Sequence, residues 1–547
     1  MGLYAYPSVR GGYNDSLFAT NIANDQVSFA KNCKMALEGF LTQRDGTVKV
    51  SDTATGASDI VYDIHGFYKH NSDGTVTRST LIKAGTVLYS FNSTTVVFDS
   101  VKTGLAATKA SMVNFFNGSG VECVVYADGS NFGMWDGTTW TSLTKPTSWT
   151  TFPKYLEVDD NVLWIAGDSV LVYRLCYSES LDPTTIKANS FFEIDSGEGT
   201  AITGLKRMEN YLLIGKENAL HLILGSTFTD FSRLRVTRNV GVSSHWSIQS
   251  VGNVVYFVNN NGIWLGRLRA LQEDGMDTEL ISGNIQRRFQ TISAGTHNKI
   301  SSVYDGANGQ IIWAVNSTSN TYYDEAFVLS LWHSDPTLAK SLKGPDPRFV
   351  WAGVWVGLKL QSLATVQNSN GVEVVHIGGN DGFVRTTLST LRKDNCAVGA
   401  TTGTDIEWEV DTIELFFPTT ARTARVKKFY PILFQKYNNS VNIEWVVDQS
   451  QRLPVDNTGV AAPRSVSFTG NIQYWHELTS TDITTQWGTS IWAEKPIIQA
   501  QVTLKWRGVM ATSILFILSS EGTNALDDYS FAGFSIEADV KPARGRG

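Results

Sequence analysis

Asp-Gly and Asn-Gly pairs recur along this chain, and they limit its fold more than any other feature. They stand at Asp45-Gly46, Asp73-Gly74, Asp128-Gly129, Asp136-Gly137, Asn261-Gly262, Asp305-Gly306, Asn308-Gly309, Asn370-Gly371 and Asp381-Gly382. Both residues of such a pair tolerate positive φ, as the tight turn of a β-hairpin requires. Between the pairs lie apolar or alternating runs of strand length, at 121–127, 212–214, 219–224, 248–251, 254–258, 310–315, 327–332 and 372–377. A strand is predicted at each. The most regular alternation is at 169–178, where Leu171, Tyr173, Leu175 and Tyr177 share one face. Helical periodicity is weak; 268–289 has room for a helical turn, but Gly275 and Gly283 interrupt it.

Composition points the same way. Thr, Val, Ser, Gly and aromatic residues, including 16 Trp, dominate over good helix formers, which suits strands and turns. Charged residues are 18% and hydrophobic ones 42%, apolar enough to fold. At 547 residues the chain exceeds one hydrophobic core. The reading is all-β.

Three regions are expected. Residues 1–57, with Gly11-Gly12 and little periodicity before Phe40, read as an extended arm with the first strands. Residues 58–395 group into loosely similar units of propeller-blade size, so a β-propeller-like domain is expected. Past Asn395 a Gly/Thr-rich spacer, 396–405, leads to longer alternating runs at 406–417, 427–435, 441–448 and 500–506. Residues 396–547 therefore read as an additional C-terminal β-sandwich-like domain.

The net charge of −7 provides no field that attracts nucleic acid. The nearest basic groups, Arg422, Arg425, Lys427 and Lys428, or Arg287 and Arg288, are short and read as solvated charges. Cys33, Cys123, Cys176 and Cys396 lack C-x-x-C spacing and read as free, buried thiols of a protein made in a cytoplasm. No leader or apolar run of membrane-span length is apparent, so no membrane span is expected.

The catalytic patterns that this chain approaches are incomplete. Gly215-Lys216 lacks the upstream glycine and following hydroxyl of a phosphate-binding loop, and Gly241-Val242-Ser243 lacks the second glycine of a nucleophile elbow. The segment Met134 to Trp140 approaches the S-x-D-x-G-x-x-W turn of sialidases, but Gly137 follows Asp136 directly and the plain hairpin reading prevails. Glu157, Asp159-Asp160 and Asp527-Asp528 are candidate hydrolase carboxylates that read better as loop charges. Among eight histidines only His65 and His70 are close in sequence. Trp351 with Trp355, and Trp487 with Trp492, suit burial in a core or interface better than sugar stacking. No catalytic, cofactor-binding or metal-binding residue is assigned, and no enzyme activity or cofactor is expected.

Certain phrases carry a resemblance. Arg10-Gly11-Gly12, Ala30 to Cys33 and Thr42 to Gly46 are similar to the opening of many phage tail proteins. A longer run follows the same order: Leu175 to Ser178, Asp182-Pro183, Ile202 to Leu205, Leu212 to Lys216, Ala219 to Gly225, Asn239 to Ser244, Val255 to Val258 and Leu280 to Ser282. The chain thus resembles the tail nozzle, or tail stabilisation, proteins of short-tailed double-stranded DNA phages. Similarity extends over about 1–300, loosens to 400 and fades in the last third. Val242 and Gly215 depart from the usual pattern.

What the resemblance implies is a structural virion protein. Its copies form a ring, a hexamer in the family, that extends and closes the DNA-ejection channel below the portal and adaptor. Implied partners are the head-to-tail adaptor, tail fibre or spike proteins, and double-stranded DNA that passes without specific binding. The implied location is the virion tail. The arm, with Leu3, Tyr4, Tyr6 and Phe18, and the C-terminal tryptophans Trp475, Trp487 and Trp492 are the expected faces between copies. Two alternatives stay open: another tail component, either baseplate hub or receptor-binding propeller, and a glycan-active propeller enzyme.

Overall fold

The computed structural model describes residues 2–6, 8–15, 22–56, 59–268, 275–317, 323–335, 348–416, 423–435, 440–447, 465–469, 497–499, 502–503, 513–520 and 529–541. Phe18, Trp475, Trp487, Trp492 and Asp527-Asp528 lie outside them.

The chain is all-β, with a β-propeller core. Five separate four-stranded antiparallel sheets follow one another from Val61 to Leu280, each running from an inner to an outer strand. The inner strands are Val61–His70, Ser111–Phe116, Tyr155–Asp159, Ile202–Met208 and Gln249–Val251. Two more blades share one long strand, Val350–Gln367. Its first half pairs with Tyr323–Ser330 as the outer strand of blade 6, whose inner strand is Ser301–Asp305. Its second half is the inner strand of blade 7 and pairs with Glu373–Gly379, then Val384–Leu388. The fourth strand of blade 7 is Gly46–Lys49, from the other end of the chain. The ring is seven-bladed and closes by joining early and late sequence.

Alternation explains why these strands read as unbroken apolar runs. In Val162–Ala166, Leu163 and Ile165 pack into the cluster between blades 2 and 3, while Val162, Trp164 and Ala166 pack between blades 3 and 4. Both faces are buried, so all five residues are apolar. Similar clusters fill the other gaps: Phe67 with Trp135, Leu213 with Phe257, and Ile64 with Val384. Full burial of one such side chain contributes about 1.5–3 kcal/mol.

The C-terminal region forms two facing sheets. One carries Thr423–Gln435 and Tyr529–Lys541, with Gly2–Tyr6 and Leu41–Gln43 on the far edge of the latter strand. The other carries Glu409–Asp411, Ser440–Val447 and Ser513–Ser520. Phe429 of the first and Phe516 of the second stack at 3.9 Å between ring centroids, which sets the sandwich core. Phe29–Lys31 bridges this sandwich to the propeller, parallel to Val350–Gln367 on one side and antiparallel to Glu409–Asp411 on the other. Residues 1–57 are thus divided between both parts. Tyr6, expected at an interface between copies, stacks on Phe534 of its own chain at 4.9 Å.

Several expectations need correction. Asp45-Gly46 is no hairpin turn: Gly46 opens the closing strand, and a Cβ there would lie 2.4 Å from the Lys393 carbonyl oxygen. The strand expected over 169–178 is only Arg174–Tyr177. The Asp168 carboxylate accepts the backbone N–H groups of Val170 and Leu171, a turn that competes with the ladder. The run 406–417 is split into Glu409–Asp411 and Leu415–Phe416. The helical turn for which 268–289 had room is present: after the strand Met276–Leu280, a 3-10 turn at Ser282–Ile285 runs into an α-helical turn at Gln286–Phe289.

Candidate functional site

Seven inner strands leave an axial channel. Its middle is a cavity of about 350 Å³ whose wall takes His65 from blade 1, Asn114 from blade 2, Glu157 from blade 3, Lys206 from blade 4, Gln249 from blade 5, Ser302 from blade 6 and Leu363 from blade 7. Each residue alternates with an inter-blade core residue, as Ile64 and Leu205 do beside His65 and Lys206. Burial pushes His65 down to about 4 and Glu157 up, with Lys206 opposing the latter. His245, from the turn entering blade 5, is pushed down to about 3 by burial and by Lys206, Lys154 and Lys109. It is neutral: Nδ1 accepts from the Leu205 N–H at 3.2 Å and Nε2 lies 3.2 Å from Ser111 Oγ. The middle of the channel is therefore a polar wall with its histidines uncharged.

One mouth of the channel widens to a cavity of about 680 Å³. It is built from segments that lead into inner strands, carrying Lys109, Lys154 and Lys299, and from loops joining second to third strands, carrying Asp128 and Asn316. Tyr62, Trp246 and Tyr323 provide aromatic walls. Trp246 is fixed by its Nε1 donating to the Ala110 carbonyl at 2.9 Å. Lys109 Nζ sits 5.2 Å from the Trp246 ring centroid and 5.6 Å from that of Tyr323, within cation–π range. Burial pushes Lys109 down and the neighbouring Asp63 up, each opposed by the other's charge.

The residues weighed from sequence fall elsewhere, with three exceptions. His65, Glu157 and, from the remaining histidines, His245 reach the channel. His70 is exposed and pairs with Glu122 at 2.6 Å. Asp159, pushed up to about 6 by burial and Asp160, pairs with Arg207 at 3.3 Å. Lys216 is buried, its Nζ donating to the Ile194 and Asp195 carbonyls. Asp136 caps a hairpin whose flanking Trp135 and Trp140 are cross-strand partners. Trp351 and Trp355 are core residues that donate to the Ile281 and Cys33 carbonyls. Among the described residues no group of three or more His, Cys, Asp and Glu could hold a metal ion. No helix among them is long and apolar enough to cross a membrane.

Sequence reasoning did not single out Lys109, Lys154 or Lys299. A signal existed: Lys109 and Lys154 immediately precede successive inner strands, roughly one blade length apart.

The class that the fold defines is a seven-bladed β-propeller closed by its N-terminal segment and carrying a C-terminal β-sandwich. No protein-family model matches the chain, and no curated protein matches it. Among solved structures, a chain from the crystal structure of a mitotic checkpoint complex is similar over 63% of this chain and 95% of its own, at 11% identity and a TM-score of 0.39. A computationally designed protein is similar over 63% of this chain and 99% of its own, at 11% identity and a TM-score of 0.33.

Proposed function

We propose that this chain is a structural subunit of the tail of a short-tailed double-stranded DNA phage, assembling with its own copies into a ring. In that role a hexamer, the number the sequence resemblance implies, extends the ejection channel below the portal and adaptor and closes the tail tip. Adaptor and fibre or spike proteins are its neighbours in the virion.

Beside the resemblance, the observation that carries this reading is the divided N-terminal segment. Phe29–Lys31 hydrogen-bonds to both propeller and sandwich, and Gly46–Lys49 closes the ring. Force on one part passes to the other through paired strands instead of a flexible linker. A tail part holding back packaged DNA needs such continuity. The propeller's own channel, with its cavity of about 350 Å³, is too narrow for a duplex. In the proposed ring the DNA path therefore runs between subunits, where a chain of net charge −7 favours passage over sticking.

The test is mass photometry and cryo-electron microscopy of the purified full chain, with antibody labelling of the virion. A closed homo-oligomer with a duplex-wide opening, and label on the tail, are expected. A chain that stays monomeric at micromolar concentration, or label absent from the tail, overturns the reading.

A further inference from the structure

The wide mouth of the propeller channel holds two buried polar atoms of opposite sense, each without a hydrogen-bond partner. Lys109 Nζ is a donor and Gln361 Oε1 an acceptor, and both residues line the same cavity. Burying such groups unsatisfied is costly, the more so for a charge. That cost is recovered when a ligand accepts from the lysine and donates to the glutamine.

The charge of the lining narrows the ligand further. Lys109, Lys154 and Lys299 face a single lining carboxylate, Asp128, so the lining is net cationic. Asp128 is already engaged: it accepts from the N–H groups of Ala106, Ser130 and Asn131 and from the Tyr126 hydroxyl. Asp63 neighbours Lys109, and burial works against the charge of both members of that pair, so the exposed Lys154 and Lys299 carry the cationic character of the mouth. Lys154 and Lys299 are exposed, free to close over a bound anion.

We propose that this mouth binds a small phosphate monoester of a polyol. The dianionic phosphoryl group suits this cationic lining and accepts from the lysine ammonium groups. A hydroxyl of the polyol donates to Gln361 Oε1, and its carbon face lies against Trp246, which the Ala110 carbonyl holds in place. The site is independent of the tail reading, since it needs only one copy of the chain.

The experiment is isothermal titration calorimetry on the full chain with glycerol 3-phosphate, inorganic phosphate and glycerol in separate arms. Saturable binding of one glycerol 3-phosphate per chain is expected, with weaker, competing binding of inorganic phosphate and none of glycerol. The double variant Lys154→Met/Lys299→Met, exposed positions that leave the core intact, is expected to weaken both phosphates roughly tenfold or more. Gln361→Leu is expected to weaken glycerol 3-phosphate and leave inorganic phosphate unchanged. The proposal is overturned by absent saturable binding of both phosphates, by binding indifferent to loss of the two lysines, or by glycerol binding as well as its phosphate. Equal affinity for the two phosphates with Gln361→Leu silent overturns the polyol assignment.

Discussion

The Arg44 guanidinium meets the Asp394 carboxylate in a two-point pair, Nη1 to Oδ1 at 2.9 Å and Nη2 to Oδ2 at 2.5 Å, across 350 residues of chain. Both side chains are buried. Arg44 Nε also donates to Asn32 Oδ1, and Thr47 Oγ1 donates to Asp394 Oδ1, so the pair pins the start of the closing strand to the end of blade 7. Such planar, bidentate geometry is the arrangement in which a buried ion pair holds register.

Breaking that pair from one side leaves a stranded charge. Asp394→Ala is expected to destabilise the protein by about 3–5 kcal/mol. The double variant Arg44→Met/Asp394→Ala should be far less costly than the two single changes added together. Chemical denaturation of the four proteins measures both; additive losses would mean that the two residues act independently.

Gly353 and Gly357 separate close approach from backbone conformation. Gly353 has φ +130° and a Cβ there would lie 2.4 Å from the Ala30 carbonyl oxygen, at the bridge between propeller and sandwich. Gly357 has φ +83° with open space around it. Gly353→Ala is expected to cost about 3 kcal/mol or more, combining strain and overpacking. Gly357→Ala is expected to cost about 1–2 kcal/mol from backbone conformation alone. Thermal unfolding of both variants ranks them, and equal costs would remove the close-approach argument.

His376 is buried in blade 7, and burial pushes it down to about 4 from an ordinary value of 6.5. The unfolded chain takes up a proton near pH 6.5 that the folded chain refuses until near pH 4, so stability falls as pH drops through that window. His376→Gln is expected to lose less stability than the parent between pH 7 and pH 5, by about 2 kcal/mol. Denaturant midpoints at the two pH values give the comparison; parallel losses would show that His376 titrates normally.

All four cysteines are buried and free, with burial pushing Cys123 and Cys176 up to about 12. A neutral, enclosed thiol is a poor nucleophile. A thiol-reactive dye is expected to label none of them at pH 8 in the folded chain within minutes, and all four in denaturant. Rapid labelling of the folded chain would place at least one thiol at the surface.

Much of the propeller was legible because its hairpins are local. Gly74, Gly129, Gly137, Gly309, Gly371 and Gly382 all adopt positive φ at turns marked by a preceding Asp or Asn. Strands such as Gln310–Val315 were visible because both faces are buried and every residue had to suit a core. The closure was not legible. Thr47 and Val48 form a short, unremarkable run, and their partners Thr387 and Thr386 lie at the far end of the propeller sequence. The alternation at 169–173 misled because period two does not show that Asp168 captures the backbone. The channel lysines escaped notice because each is ordinary alone; only the ring brings Lys109, Lys154 and Lys299 to one cavity.

The fourth strand of blade 7 leaves the ribosome before every other strand of the propeller, yet its partner Val384–Leu388 comes after all the rest. At about 5–20 residues per second, the early segment waits on the order of tens of seconds for it. Blades can fold one by one as they emerge, but the circle stays open until the last of them appears. Gly46–Lys49 thus acts as a timer as well as a clasp, sealing the molecule only when translation has passed through the whole propeller.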